Sequence, residues 1–171
     1  KLIRERGTMN ARISERAELT DEEMAQLRAF RVDEPVARVS CASANSKGEG
    51  KRRIVLWDFG AKENMRGELI KRGNEVIAVP HTATAGDIRA YRPDGRFLSN
   101  GPGDPTDTPA VIEHLADIME DRIPTMGICL GHQLMALARG GRTKKLKYGH
   151  RGANHPARDV QTGRTYITSQ N

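Results

Sequence analysis

The sequence predicts an α/β fold, a doubly wound and mostly parallel sheet. Three observations carry this. Ile54-Val55-Leu56-Trp57 and Val76-Ile77-Ala78-Val79 are continuous apolar runs, the pattern of strands buried on both faces. Segments with strand character alternate four times with segments of helical period, which calls for parallel strands joined by right-handed crossovers. Glycine and proline stand at the joints, as at Gly73, Pro80 and Gly140-Gly141.

Each element has a local reason. Thr20-Asp21-Glu22-Glu23 is a capping box, the Thr hydroxyl accepting from the amide three residues on and Glu23 reaching back, so a helix is expected to about Phe30. Pro35 favours extended chain. Residues 42–50 are small, polar and Gly-containing, and read as an interdomain linker. Residues 54–57 are the first buried strand. A short helix over 64–72 is closed by Gly73, which takes a left-handed cap. The second strand, 76–79, ends at Pro80. A weak helix over 84–91 leads to the Pro93-Asp94-Gly95 turn, and Phe97-Leu98-Ser99 is a third, short strand. Thr108-Pro109 starts a helix in the order of N-cap, then Pro. It runs to about Glu120, with Val111, Leu115 and Ile118 on one stripe. Met126-Gly127-Ile128 is the fourth strand. Leu130, Leu134 and Leu137 line a helix that stops at Gly140-Gly141. Residues 142–148 and 165–169 read as strands of an irregular region, and His155 falls in a Gly/Pro-rich loop.

Composition narrows the function. The chain has 171 residues, 37% hydrophobic and 29% charged, enough for one sizeable core. Its net charge of +6 and pI near 9.6 permit anionic partners. The basic residues are dispersed and aromatics are only 4%, so a base-stacking platform is not expected, and nucleic acid is set aside as a partner. No apolar run approaches the roughly 18 residues of a membrane helix. Cys41 and Cys129 lack metal-ligand spacing, no metal site is expected, and a reducing cytoplasm is the default. Lys1 and Asn171 read as cuts within a longer protein.

In parallel sheets ligands lie outside the carboxyl ends of the strands, here the loops 58–63, 100–107 and 129–133. Gly127-Ile128-Cys129-Leu130-Gly131 has G-x-C-x-G spacing between strand and helix, the thiol form of a nucleophile elbow. The glycines permit the sharp turn, and the helix N-terminus favours negative charge at the sulfur. A thiolate needs less activation than a serine. Asn100-Gly101-Pro102-Gly103-Asp104-Pro105 ends a neighbouring strand, and its glycine amides are candidate oxyanion donors. Neither phosphate-loop pattern is present.

Together, Ser99-Asn100-Gly101-Pro102-Gly103-Asp104-Pro105 and Gly127-Ile128-Cys129-Leu130-Gly131-His132-Gln133 resemble the class I, triad-type glutamine amidotransferases, with a flavodoxin-like fold. Lys147-Tyr148-Gly149-His150-Arg151-Gly152-Ala153-Asn154-His155-Pro156 and Thr165-Tyr166-Ile167-Thr168-Ser169-Gln170-Asn171 are similar to the carbamoyl phosphate synthetase small subunits, as is Asp58-Phe59-Gly60-Ala61-Lys62-Glu63-Asn64. The resemblance divides the chain into 1–50, the end of an N-terminal domain plus linker, and 51–171, an incomplete amidotransferase domain. It implies that Cys129 attacks the side-chain amide of glutamine and releases ammonia through a glutamyl thioester. Gly101 and Leu130 would hold the oxyanion, and Gly103, Gln133 and Asn171 would contact glutamine. The ammonia would pass to a large partner subunit carrying ATP and Mg, for arginine and pyrimidine biosynthesis, this subunit needing no cofactor. The family's catalytic His and Glu lie further downstream, so this chain is expected to be inactive alone, and the exposed edge where further strands belong is expected to make it poorly soluble. Another class I amidotransferase, or a non-catalytic module of the same fold, is the alternative.

Other residues take plainer readings. His132 is structural and His114 solvated. The resemblance implies that His150 and His155 are structural or interface groups, and His81 is assigned no role. Asp58 anchors a turn, Cys41 is packing, and Lys144, Lys145, Lys147 and Arg151 form a solvated or subunit-contacting face.

Overall fold

The computed structural model describes residues 5–7, 9–16, 18–147 and 152–170. In chain order the elements are α1 (Asp21–Ala29), β1 (Asn45–Lys47), β2 (Arg52–Asp58), α2 (Glu63–Lys71), β3 (Asn74–Pro80), α3 (Ala85–Ala90), β4 (Gly95–Leu98), a 3-10 turn (Pro105–Asp107), α4 (Pro109–Met119), β5 (Thr125–Gly127), α5 (Leu130–Ala138), β6 (Gly152–Arg158) and β7 (Thr165–Gln170). They fall into two compact units. One spans Val32–Thr143, and the other is drawn from Lys1–Arg31 and Lys144–Asn171.

The larger unit is a five-stranded sheet in the order β1-β3-β2-β4-β5. Strands β3, β2, β4 and β5 are parallel, as expected, and β1 is antiparallel at the edge. Alternation along the strands sorts side chains to two faces. Val55, Trp57, Ile77, Val79 and Leu98 join Ile88 of α3, Val111, Leu115 and Ile118 of α4, and Leu130 and Leu134 of α5 in the main core. Leu56, Val76, Ala78 and Phe97 face the other way, against Met65, Leu69 and Ile70 of α2. Burying each large apolar side chain contributes about 1.5–3 kcal/mol. The fully buried Leu98, Leu115, Ile118, Leu130 and Leu134 therefore clamp α4 and α5 onto β4. Gly73 and Gly140 end α2 and α5 at φ +73° and +76°, the left-handed cap their positions suggest.

Several expectations need correction. Residues 42–50 are not wholly linker: Asn45 pairs with Ala78 and Lys47 with Val76. The buried guanidinium of Arg66, reaching from α2, donates to Asn45 Oδ1 (2.5 Å), Asn45 O (2.8 Å) and Val76 O (3.0 Å). Backbone pairing at an edge needs no apolar side chains, and all three β1 residues are exposed. Thr108 is the N-cap residue of α4 with Pro109 in its first turn, as expected, its hydroxyl donating to Pro105 O at 3.2 Å. Residues 142–147 carry no strand, and Tyr148 lies outside the described residues.

In the smaller unit, α1 has both arms of its capping box, Thr20 with Glu23. The stretch holding His155, expected as a loop, is β6, paired antiparallel with β7. A two-stranded ribbon has only edge strands, which tolerate Pro156. His150 lies outside the described residues.

Arg96 of β4 is buried. It donates to Ile118 O and to the Asp121 carboxylate. Arg89 grips Asp117 and Asp121 at 2.9 Å each. The Arg89 hydrogen bond is the main cause holding both carboxyls below their usual range, and Arg96 adds to it at Asp121. Folding thus favours the ionised forms. The stabilisation is complete above an unfolded-state value near pH 4 and is lost as pH falls through the lower folded-state value. Asp121→Asn is expected to lower stability by about 3 kcal/mol at neutral pH, since the guanidinium stays buried without its counter-charge. It should also flatten the loss below pH 4. Urea midpoints measured across pH 2–7 check both effects.

Candidate active site

Strand register brings three loops to one edge of the sheet. Trp57 pairs with Leu98, and Leu98 with Gly127, so the chains leaving β2, β4 and β5 emerge side by side. The strand order also reverses between β2 and β4, the crevice where such folds bind ligands.

Cys129 stands at the start of α5 with φ +53° and ψ −112°. A non-glycine residue there is strained, and such strain concentrates at functional positions. The flanking glycines explain how the turn closes. A methyl at Gly127 would lie 2.6 Å from the Gly131 carbonyl carbon, and one at Gly131 would lie 2.5 Å from Leu98 O. The elbow therefore folds back onto its own helix while that helix sits directly on β4. Cys129 is exposed. Leu130 is buried and opens α5, so its amide belongs to the first turn, whose N–H groups have no intrahelical acceptor. Gln133 follows one turn on, exposed, its backbone N–H donating to Cys129 O at 3.1 Å. His132 is exposed as well.

The glycine loop after β4 packs onto this turn. A methyl at Gly101 would stand 2.4 Å from Phe59 O and 2.7 Å from Leu130 Cδ2, so Gly101 is wedged between the β2 loop and the elbow. Gly103 has φ +91°, and a side chain there would meet Pro35 at 2.8 Å. The structure thus brings Gly101, Leu130 and the Cys129 turn together and places Gly103 further along the same loop. Asn171 lies outside the described residues.

Ser99 binds these loops to each other, a role its sequence context did not suggest. It is fully buried, with Oγ accepting from Phe59 N (2.9 Å) and donating to Asn100 O (2.8 Å). Its backbone oxygen accepts from Gly131 N (3.1 Å). The available signal was a hydroxyl ending the apolar Phe97-Leu98 run. Asp58 anchors its turn as expected, accepting from Gly60 N (2.9 Å) and Ala61 N (2.7 Å).

The second cysteine is different in kind. Cys41 is half-buried, packed against the Leu56, Val76, Ala78 and Phe97 cluster. Burial, and then the neighbouring Asp58 carboxylate, pushes its thiol up to about 11, which leaves it protonated and unreactive. Among the described residues no three His, Cys, Asp or Glu side chains converge as a metal site, and no helix is long and apolar enough to cross a membrane.

Residues 55–171 match the family described as Glutamine amidotransferase class-I, which takes in the sheet from β2 onward, the glycine loop and the elbow. The chain belongs to this family. Among curated relatives of this class-I amidotransferase, the carbamoyl phosphate synthase small chain of Bacillus caldolyticus is 49% identical over 173 residues, covering 100% of this chain and 47% of its own length. That of Listeria innocua is 48% identical with the same coverage. The chain therefore spans about half the length of the curated relatives it matches. A solved glutamine amido transferase from Methylobacillus flagellatus aligns with 67% of the chain and 49% of its own, at 23% identity and a TM-score of 0.40.

Proposed function

We propose that this chain is the glutamine-hydrolysing part of a carbamoyl phosphate synthase small subunit. The observation that carries this is the exposed Cys129, held at positive φ between two glycines that admit no side chain, with the Gly101 loop wedged against the same turn. The likeness to small chains over the whole chain supports the choice within the family.

In this reading the Cys129 thiolate attacks the carboxamide carbon of glutamine. The developing oxyanion is met by the amides of Gly101 and Leu130, donors fixed before the reaction begins. The C–N bond breaks, the nitrogen takes a proton and leaves as ammonia, and a glutamyl thioester remains. Water cleaves the thioester to glutamate and restores the thiol, so the balance is glutamine plus water to glutamate plus ammonia. Gly103, Gln133 and Asn171 are proposed to contact the substrate. The ammonia passes to a large partner subunit, where ATP, with Mg, and bicarbonate give carbamoyl phosphate for arginine and pyrimidine synthesis. This chain needs no cofactor of its own, and its free thiols suit the cytoplasm.

Co-expression of the complete gene product with a candidate large subunit tests the reading. Carbamoyl phosphate should form from glutamine or from ammonia with both subunits present, and only from ammonia when the small subunit is omitted. Glutamine use without the small subunit would refute it.

A further inference from the structure

The segment 35–41 lies ahead of the sheet in sequence, yet it rests on two of the three site loops. Pro35 packs on Gly103, where even a methyl on the glycine would come within 2.8 Å of Pro35 Cγ. Val39 packs on Gly60 in the same way, at 2.8 Å from Cγ2, and Pro102 closes on Gly60 from the other side at 3.4 Å. The segment is itself pinned. Val36 is buried in the main core, and its carbonyl accepts from Val39 N (3.1 Å) and Ser40 N (2.9 Å) in a tight turn. Ser40 Oγ accepts from His81 N at 2.9 Å, beyond the end of β3. Asp58 makes the decisive link: one carboxylate oxygen holds Gly60 and Ala61, and the other accepts from Cys41 N at 2.8 Å.

We propose that 35–41 is a strap belonging to the substrate site, with Pro35, Val39 and Asp58 as positioning residues that place the Gly103 end of the glycine loop and so set the apparent affinity for glutamine. The inference rests on the glutamine-hydrolysing reading of Cys129. Its chemistry follows from which loops the strap touches. Pro35 meets Gly103, a proposed glutamine contact, and Val39 meets Gly60, whereas Gly101, the proposed oxyanion donor, is wedged separately between Phe59 and Leu130, so loosening the strap weakens ground-state and transition-state binding alike. That raises KM and leaves kcat nearly unchanged. Asp58 has no neutral substitute. Its two oxygens take three N–H donors, and an Asn would turn an NH2 toward one of them.

The test uses the complete gene product with its large subunit. Val39→Ala and Pro35→Ala should each raise KM for glutamine by about five-fold or more with kcat within about two-fold, and Asp58→Asn should raise it further. Val39 is half exposed, so its variant keeps the fold even where Asp58→Asn does not. In a Cys129→Ser background, saturating glutamine should slow hydrogen exchange at the Cys41, Gly60 and Ala61 amides, a ligand dependence that a purely structural strap does not produce. Unchanged KM in the Val39 and Pro35 variants, or a loss confined to kcat, overturns the proposal, as does exchange indifferent to glutamine. Full glutaminase activity in Cys129→Ser alone would instead overturn the reading of the site beneath it.

Discussion

Cys129→Ser in the complete gene product lowers glutamine-dependent activity at least about a thousand-fold, the scale seen when a nucleophile is removed from a preorganised site. Ammonia-dependent synthesis by the assembled enzyme stays near its original rate, because ammonia bypasses the thiol. Backbone geometry adds a second readout. At φ +53° and ψ −112°, Cys129 occupies a region natural to glycine, and holding a side chain there costs of order 1–3 kcal/mol. Cys129→Gly should therefore be as inactive as the Ser variant and yet more stable, by about 1 kcal/mol in a urea melt. The opposed signs matter. A cysteine kept for packing would lose stability on becoming glycine, whereas a nucleophile held under strain gains it. Retained glutamine use in the Ser variant would take Cys129 out of the chemistry altogether.

What the sequence exposed, and what it hid, follows from how local each interaction is. Val55, Trp57, Ile77 and Val79 read as buried because a strand covered on both faces must be apolar at every position, and they line the core. The elbow was legible for a similar reason. Its two glycines face backbone atoms within 2.6 Å of any added carbon, so only one residue type satisfies each place. Long-range polar contacts left no comparable trace. Arg66 captures β1 across 21 residues, and Asp58 takes the Cys41 amide across 17. Neither partner carries a compositional mark, so 42–50 read as linker and Pro35 only as a start of extended chain. Ser99 hid because one buried hydroxyl after an apolar run reads equally as a strand end.

Two glycine-to-alanine changes in helices separate conformational propensity from close approach. Gly67 sits inside α2 with nothing within 4 Å of an added methyl, so Gly67→Ala stabilises by about 1 kcal/mol through helix propensity alone. Gly131 sits in the first turn of α5, where the same methyl meets Leu98 O at 2.5 Å and Leu98 Cβ at 2.6 Å. Those atoms belong to the central strand β4, which is paired on both sides and cannot yield. The helix must lift instead, opening the contact of Leu130 and Leu134 with Leu98 and breaking the Gly131 N to Ser99 O bond. Gly131→Ala should therefore destabilise by about 3 kcal/mol, near 10 °C in Tm for a chain of this size. It should also remove glutamine-dependent activity, since the displaced turn carries both Cys129 and the Leu130 amide. Scanning calorimetry on the two variants measures the contrast. A Gly131→Ala protein as stable as Gly67→Ala would mean that α5 does not rest on β4 in this way, and the geometry of the elbow would have to be redrawn.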